Sequence, residues 1–121
     1  MHEIDRLSKR FRYAIRGLAV AFRTEQSFRI QVTAMFLAAV LTFWLRPPRV
    51  EVLILILVTA LVLVLELVNS IFERVVDLLK PRIHHYVEEV KDMMAASVLV
   101  ASFAALVLGI VIFLPLLINK F

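Results

Sequence analysis

The chain has 121 residues, 62% of them hydrophobic and 20% charged, with a net charge of +4. That apolar share and a mean hydropathy of +0.91 exclude an ordinary soluble domain and point to one integral membrane unit. Cysteine is absent, which excludes disulfides and thiolate–metal sites. The cations concentrate near the N-terminus without basic–aromatic interleaving, a pattern that suits an anionic membrane surface and argues against nucleic acid.

Residues 1–24 carry Ile4, Leu7, Phe11, Ala14, Ile15, Leu18 and Phe22 at spacings of three and four. Arg6, Lys9, Arg10, Arg12 and Arg16 fill the other faces. The pattern predicts a basic amphipathic helix lying in the membrane interface, its cations among lipid phosphates. Such a helix either only anchors the chain or also offers cations to a phosphate-bearing ligand. Residues 1–28 are taken together as surface helix and hinge, and Thr24-Glu25-Gln26-Ser27-Phe28-Arg29-Ile30-Gln31 leads into the membrane. Two readings stand for Glu25: a first-turn carboxylate in a helix capped by Thr24, or a metal or substrate ligand at the surface.

Residues 30–46 form the first span, with Trp44 placed for an interfacial aromatic belt. Arg46-Pro47-Pro48-Arg49 is a tight turn, since proline lacks a donor and restricts the residue before it. The second span covers residues 50–72. Lys80-Pro81 breaks it, residues 81–91 read as a cytoplasmic loop or surface helix, and residues 93–118 form the third span. No secretory signal peptide is expected, because the first apolar run starts only near Ile30 and no small-residue cleavage pattern follows. Residues 1–29 hold seven Lys or Arg and residues 74–91 hold four, against two in the Pro-Pro turn and one in the C-terminal tail. The bias places the N-terminus and second loop in the cytoplasm, and the Pro-Pro turn and C-terminus outside.

The second span carries the informative stretch. At about 100° per residue, Glu66, Asn69, Glu73 and Asp77 share one narrow stripe, opposite Leu67, Val68, Ile71, Phe72, Val75 and Val76. Counting roughly 20 residues from Val52 puts Glu66 about 8 Å inside the hydrocarbon boundary. An ionisable residue there is costly and marks a candidate functional site. Three helices cannot cover such a stripe alone, so an oligomer is expected. Small residues of the third span (Ala95, Ala96, Ser97, Ala101, Ser102, Gly109) permit close helix approach.

Glu25, Glu66, Asn69, Glu73, Asp77, Lys91 and Asp92 therefore gather near one surface, with Arg6 and Lys9 alongside. Glu25 and Glu73 have the oxygen chemistry of a Mg²⁺ site completed by phosphates and water. Glu66 lies deeper, where a carboxylate shielded from water serves as a proton acceptor. The parts suffice for phosphoryl transfer. No glycine-rich phosphate loop exists, since only Gly17 and Gly109 are present. Three options stay open on chemistry alone: a membrane-surface enzyme, a carboxylate-based proton or ion path, and a structural oligomer. The neighbours His84 and His85 point in different directions on a helix, so a solvated or phosphate-contacting role fits them better than metal binding.

Glu66-Leu67-Val68-Asn69-Ser70-Ile71-Phe72-Glu73, then Val75-Val76-Asp77, His84, Lys91-Asp92-Met93 and Ala95-Ala96-Ser97 resemble the prokaryotic diacylglycerol kinase family. The family pattern is E-x-x-N-[ST]-x-x-E-x-x-V-D with a later A-K-D-[MA], and Gly17-Leu18 and Thr24-Glu25-x-x-Phe28-Arg29 fit it too. The resemblance implies an all-α membrane fold of one surface helix and three spans, assembled as a homotrimer in the bacterial inner membrane with sites shared between subunits. It implies transfer of the ATP γ-phosphate, with Mg²⁺, to a lipid hydroxyl. Glu66 would be the general base, Glu25 and Glu73 the Mg²⁺ ligands. Arg6, Tyr13, Glu25, Asn69, Glu73, His84, Lys91 and Asp92 would line the nucleotide. Arg6, Phe28, Arg29 and Ala95 would flank the lipid beside Glu66.

Two positions depart from the pattern. Val90 stands where alanine usually precedes the Lys-Asp pair. Phe28-Arg29-Ile30-Gln31 is close to the F-R-I-H of Gram-positive undecaprenol kinases, whereas Gram-negative diacylglycerol kinases usually have F-R-Q-E. Diacylglycerol is the expected acceptor and undecaprenol the alternative.

Overall fold

The computed structural model describes residues 2–121, and their side chains except those of residues 80–85. Among them the chain forms four helices: α1 (His2–Thr24), α2 (Gln26–Leu45), α3 (Arg49–Leu79) and α4 (Tyr86–Lys120). The last two belong to one helical segment, Arg49–Lys120, that doubles back on itself. Leu55 and Ile112 share one packed cluster, although a straight helix would hold them about 85 Å apart. Lys91 and Asp77, fourteen positions and about 21 Å apart on a straight helix, approach to 2.7 Å. α3 and α4 are therefore antiparallel.

The apolar core is thin. Leu55, Ile112 and Phe113 are buried, with Ala38, Leu41 and Leu45 of α2 packed against them. Most large apolar side chains face outward, including Phe43 at 83%, Leu57 at 72% and Leu99 at 69% exposure. In water each would forgo about 1.5–3 kcal/mol of burial; hydrocarbon supplies the missing environment. Helices α2, α3 and α4 are each long and apolar enough to cross a membrane. Several hydroxyls along these spans bond their own backbone, Thr42 to Ala38 O and Thr59 to Leu55 O among them, so these donors are not left bare in lipid.

The connections have local causes. A single residue, Glu25 (φ −114°, ψ 110°), separates α1 from α2 and makes no side-chain cap. Thr24 does not cap the following helix: its hydroxyl donates back to Val20 O at 2.7 Å. Arg29 instead reaches across the hinge, its Nη1 donating to Phe22 O and Arg23 O at 2.8 and 3.1 Å. Those carbonyls end α1 and have no helical partner of their own. α2 begins four residues before the apolar run because Gln26, Ser27 and Arg29 are polar but not helix-breaking. It ends where Arg46 turns left-handed (φ 49°), its N–H bonding Thr42 O ahead of Pro47-Pro48.

At the far end Lys120 Nζ sits 5.0 Å from the Trp44 ring centroid, and Trp44 meets Phe121 edge-on at 6.2 Å. These contacts tie the end of α4 to the end of α2. α1 leaves the bundle, with only Ala21 buried and Ile4, Leu7, Phe11, Ile15, Leu18 and Phe22 all exposed.

Candidate functional site

Glu66 lies about 26 Å along α3 from Arg49 at the helical rise, close to the far boundary of a roughly 30 Å hydrocarbon layer. It is 2% exposed. Its Oε2 accepts a hydrogen bond from Ser27 Oγ at 3.0 Å, so the first turn of α2 supplies the partner for the acid of α3. Ser70, also buried, donates to Glu66 O at 3.0 Å. One turn deeper on α2, Gln31 Nε2 donates to Ser102 Oγ of α4 at 2.9 Å. Two polar contacts one turn apart on α2 thus join all three spans. Beneath it a crevice of about 500 Å³ opens between them, lined by Leu41, Val58, Val62, Leu106 and Phe113 and bounded by Gln31 and Ser102.

Above Glu66 the stripe emerges in steps. Asn69 is half-buried; its Nδ2 donates to Glu73 Oε1 at 3.4 Å, while its buried Oδ1 has no partner. Glu73 is half-buried and Asp77 exposed. Arg74 Nη2 donates to Thr24 Oγ1 at 3.0 Å and stands 3.6 Å from Glu25 Oε1, bringing the hinge acid to the Glu73 turn of α3. Lys91 pairs with Asp77 at 2.7 Å, and the adjacent Asp92 is exposed.

One chain thus gathers Glu25, Glu66, Asn69, Glu73 and Lys91 at one end of the bundle. It does not gather everything. Arg6 and Tyr13 are exposed on α1, and Arg6 lies about 27 Å along the helix from the hinge. Tyr13 carries the Arg16 guanidinium 5.7 Å from its ring centroid. Phe28 is buried at the hinge, Arg29 holds the end of α1, and Ala95 is exposed. The side chain of His84 falls outside the described residues. Ser27 and Arg74 were missed as site residues in the sequence. Ser27 could have been found as the hydroxyl one turn before Gln31 at the depth of Glu66.

Among the described residues no three His, Asp or Glu side chains converge to hold a metal ion. Two carboxylates with phosphate and water oxygens suffice for a hard dication. Glu25, Glu73 and the unpartnered Asn69 Oδ1 are donors of that kind.

The fold and this cluster define a multi-span membrane protein with a buried carboxylate beneath a polar, acid-bearing end. The Prokaryotic diacylglycerol kinase family model matches residues 12–113. A diacylglycerol kinase of Synechocystis sp. is 36% identical over 110 residues, 90% of this chain but 63% of that longer relative. A diacylglycerol kinase of Escherichia coli is 34% identical over 102 residues, 84% of each chain. An undecaprenol kinase of Bacillus subtilis is 31% identical over 114 residues, 94% of this chain and 93% of the relative. The chain belongs to the prokaryotic diacylglycerol kinase family, a family of lipid kinases.

Proposed function

We propose that this protein transfers the γ-phosphoryl group of ATP, with Mg²⁺, to the hydroxyl of diacylglycerol, giving phosphatidic acid. The observation that carries this reading is Glu66, a buried carboxylate held by Ser27 one to two turns beneath Asn69 and Glu73. Glu66 takes the proton of the lipid hydroxyl as its oxygen attacks phosphorus, and ADP leaves. Ser27 orients the carboxylate. Glu25 and Glu73 hold the dication with the phosphates, while Asn69 and Lys91 line the nucleotide. When bound, Mg²⁺ neutralises charge on the transferring phosphoryl group. The crevice below Gln31 and Ser102 offers hydrocarbon tails a place beside the acid.

The protein is read as a homotrimer in the bacterial inner membrane, N-terminus inside and C-terminus outside. The distribution of Lys and Arg supports the orientation. The exposed apolar residues of α1 suit a helix lying on lipid. The distance of Arg6 and Tyr13 from the hinge suits contribution to a neighbouring subunit's site.

Undecaprenol is the second acceptor to test, favoured by Phe28-Arg29-Ile30-Gln31 and by the near full-length match to the undecaprenol kinase. Purified protein given labelled Mg-ATP and each lipid separately should label diacylglycerol. Labelling of undecaprenol alone would reassign the acceptor, and labelling of neither would remove the kinase reading.

A further inference from the structure

Arg74 stands beside Glu73 in sequence and carries no role in the chemistry above. It is half-exposed, with Glu25 less so (51% and 23% for the side chains). Its guanidinium is anchored by the Thr24 hydroxyl at 3.0 Å while its charge faces Glu25 Oε1 at 3.6 Å. Among the described residues, the other carboxylate of the pair, Glu73, accepts from the neutral Asn69 amide at 3.4 Å and makes no ion pair within contact distance, the Lys91 charge acting on it from further off. Of the two acids, Glu25 therefore has the cation in direct contact.

We propose that Arg74 is a resident counter-cation at Glu25, a positioning residue that a divalent ion must displace to bind there. This rests on the reading of Glu25 and Glu73 as the metal pair. A monodentate contact at 3.6 Å lacks the two-pronged geometry of a strong guanidinium–carboxylate pair, and partly exposed ion pairs are weak. A dication carries twice the charge and gains phosphate ligands as well. Exchange therefore favours the metal, while Arg74 sets how much dication is needed.

The test is Mn²⁺ binding to the full-length protein in detergent without nucleotide, read from the electron paramagnetic resonance of the free ion. Arg74→Gln should tighten Mn²⁺ binding about two- to fivefold, the range set by a weak surface pair. Arg74→Lys, which keeps the charge, should stay close to the parent protein. Glu73→Gln should weaken binding in either background. Unchanged or weaker binding in Arg74→Gln, with Glu73→Gln still weakening it, overturns the counter-cation role and leaves the metal pair standing. Binding indifferent to Glu73→Gln removes the metal pair, and the proposal with it.

Discussion

Ser27 Oγ and Glu66 Oε2 meet at 3.0 Å although thirty-nine positions separate them in the chain. The contact fixes the first turn of α2 against the deep turn of α3. It also gives a carboxylate that is 2% exposed a donor at a depth where an unpaired charge would be costly.

Ser27→Ala should cost turnover without abolishing it, by about tenfold, the equivalent of one hydrogen bond to a charged group at roughly 1.5 kcal/mol. Ser27→Thr keeps the hydroxyl and should retain most of the rate. Initial rates of lipid phosphorylation at saturating nucleotide check both. Equal loss in the two variants would mean that side-chain size, not the hydroxyl, matters at this position.

Asn69→Ala should separate stability from function. The substitution removes a buried Oδ1 that has no partner and only a long contact to Glu73. Unfolding in detergent should therefore be unchanged or up to about 1 kcal/mol more favourable to the folded state. Phosphorylation should fall, mainly through a raised nucleotide KM. A destabilised variant with normal KM would make Asn69 a packing residue.

Gln31 and Ser102 join α2 to α4 inside the bundle. A double-mutant cycle with Gln31→Ala and Ser102→Ala should return a coupling of about 0.6–1.7 kcal/mol, as for other hydrogen bonds between membrane helices. Thermal unfolding of the four proteins measures it, and additive effects would mean that the two side chains do not pair.

Much of this architecture could be read in advance. Hydropathy located three spans, and period 3.6 placed Glu66, Asn69, Glu73 and Asp77 on one stripe whose exposure rises from Glu66 to Asp77 as expected. Long-range partners were not legible. Ser27 sits in a polar hinge whose composition says nothing about which acid it faces, and Gln31 and Ser102 pair only once α2 and α4 are side by side. Arg74 counted merely as one more cation for topology, because nothing local reveals that α3 returns it to Thr24 and Glu25. Thr24 has the chemistry of a helix cap, but the helix before it extends to include it, and its hydroxyl closes that helix instead. At residues 86–91 helix propensity overrode low hydropathy, and α4 runs through them.

The most direct measurement is transfer of labelled γ-phosphate from ATP to diacylglycerol by the Glu66→Gln protein beside the parent. The amide is nearly isosteric and still accepts from Ser27, so the assembly should elute unchanged in size while transfer drops at least 10²-fold. Parental turnover in that variant would contradict proton abstraction by Glu66.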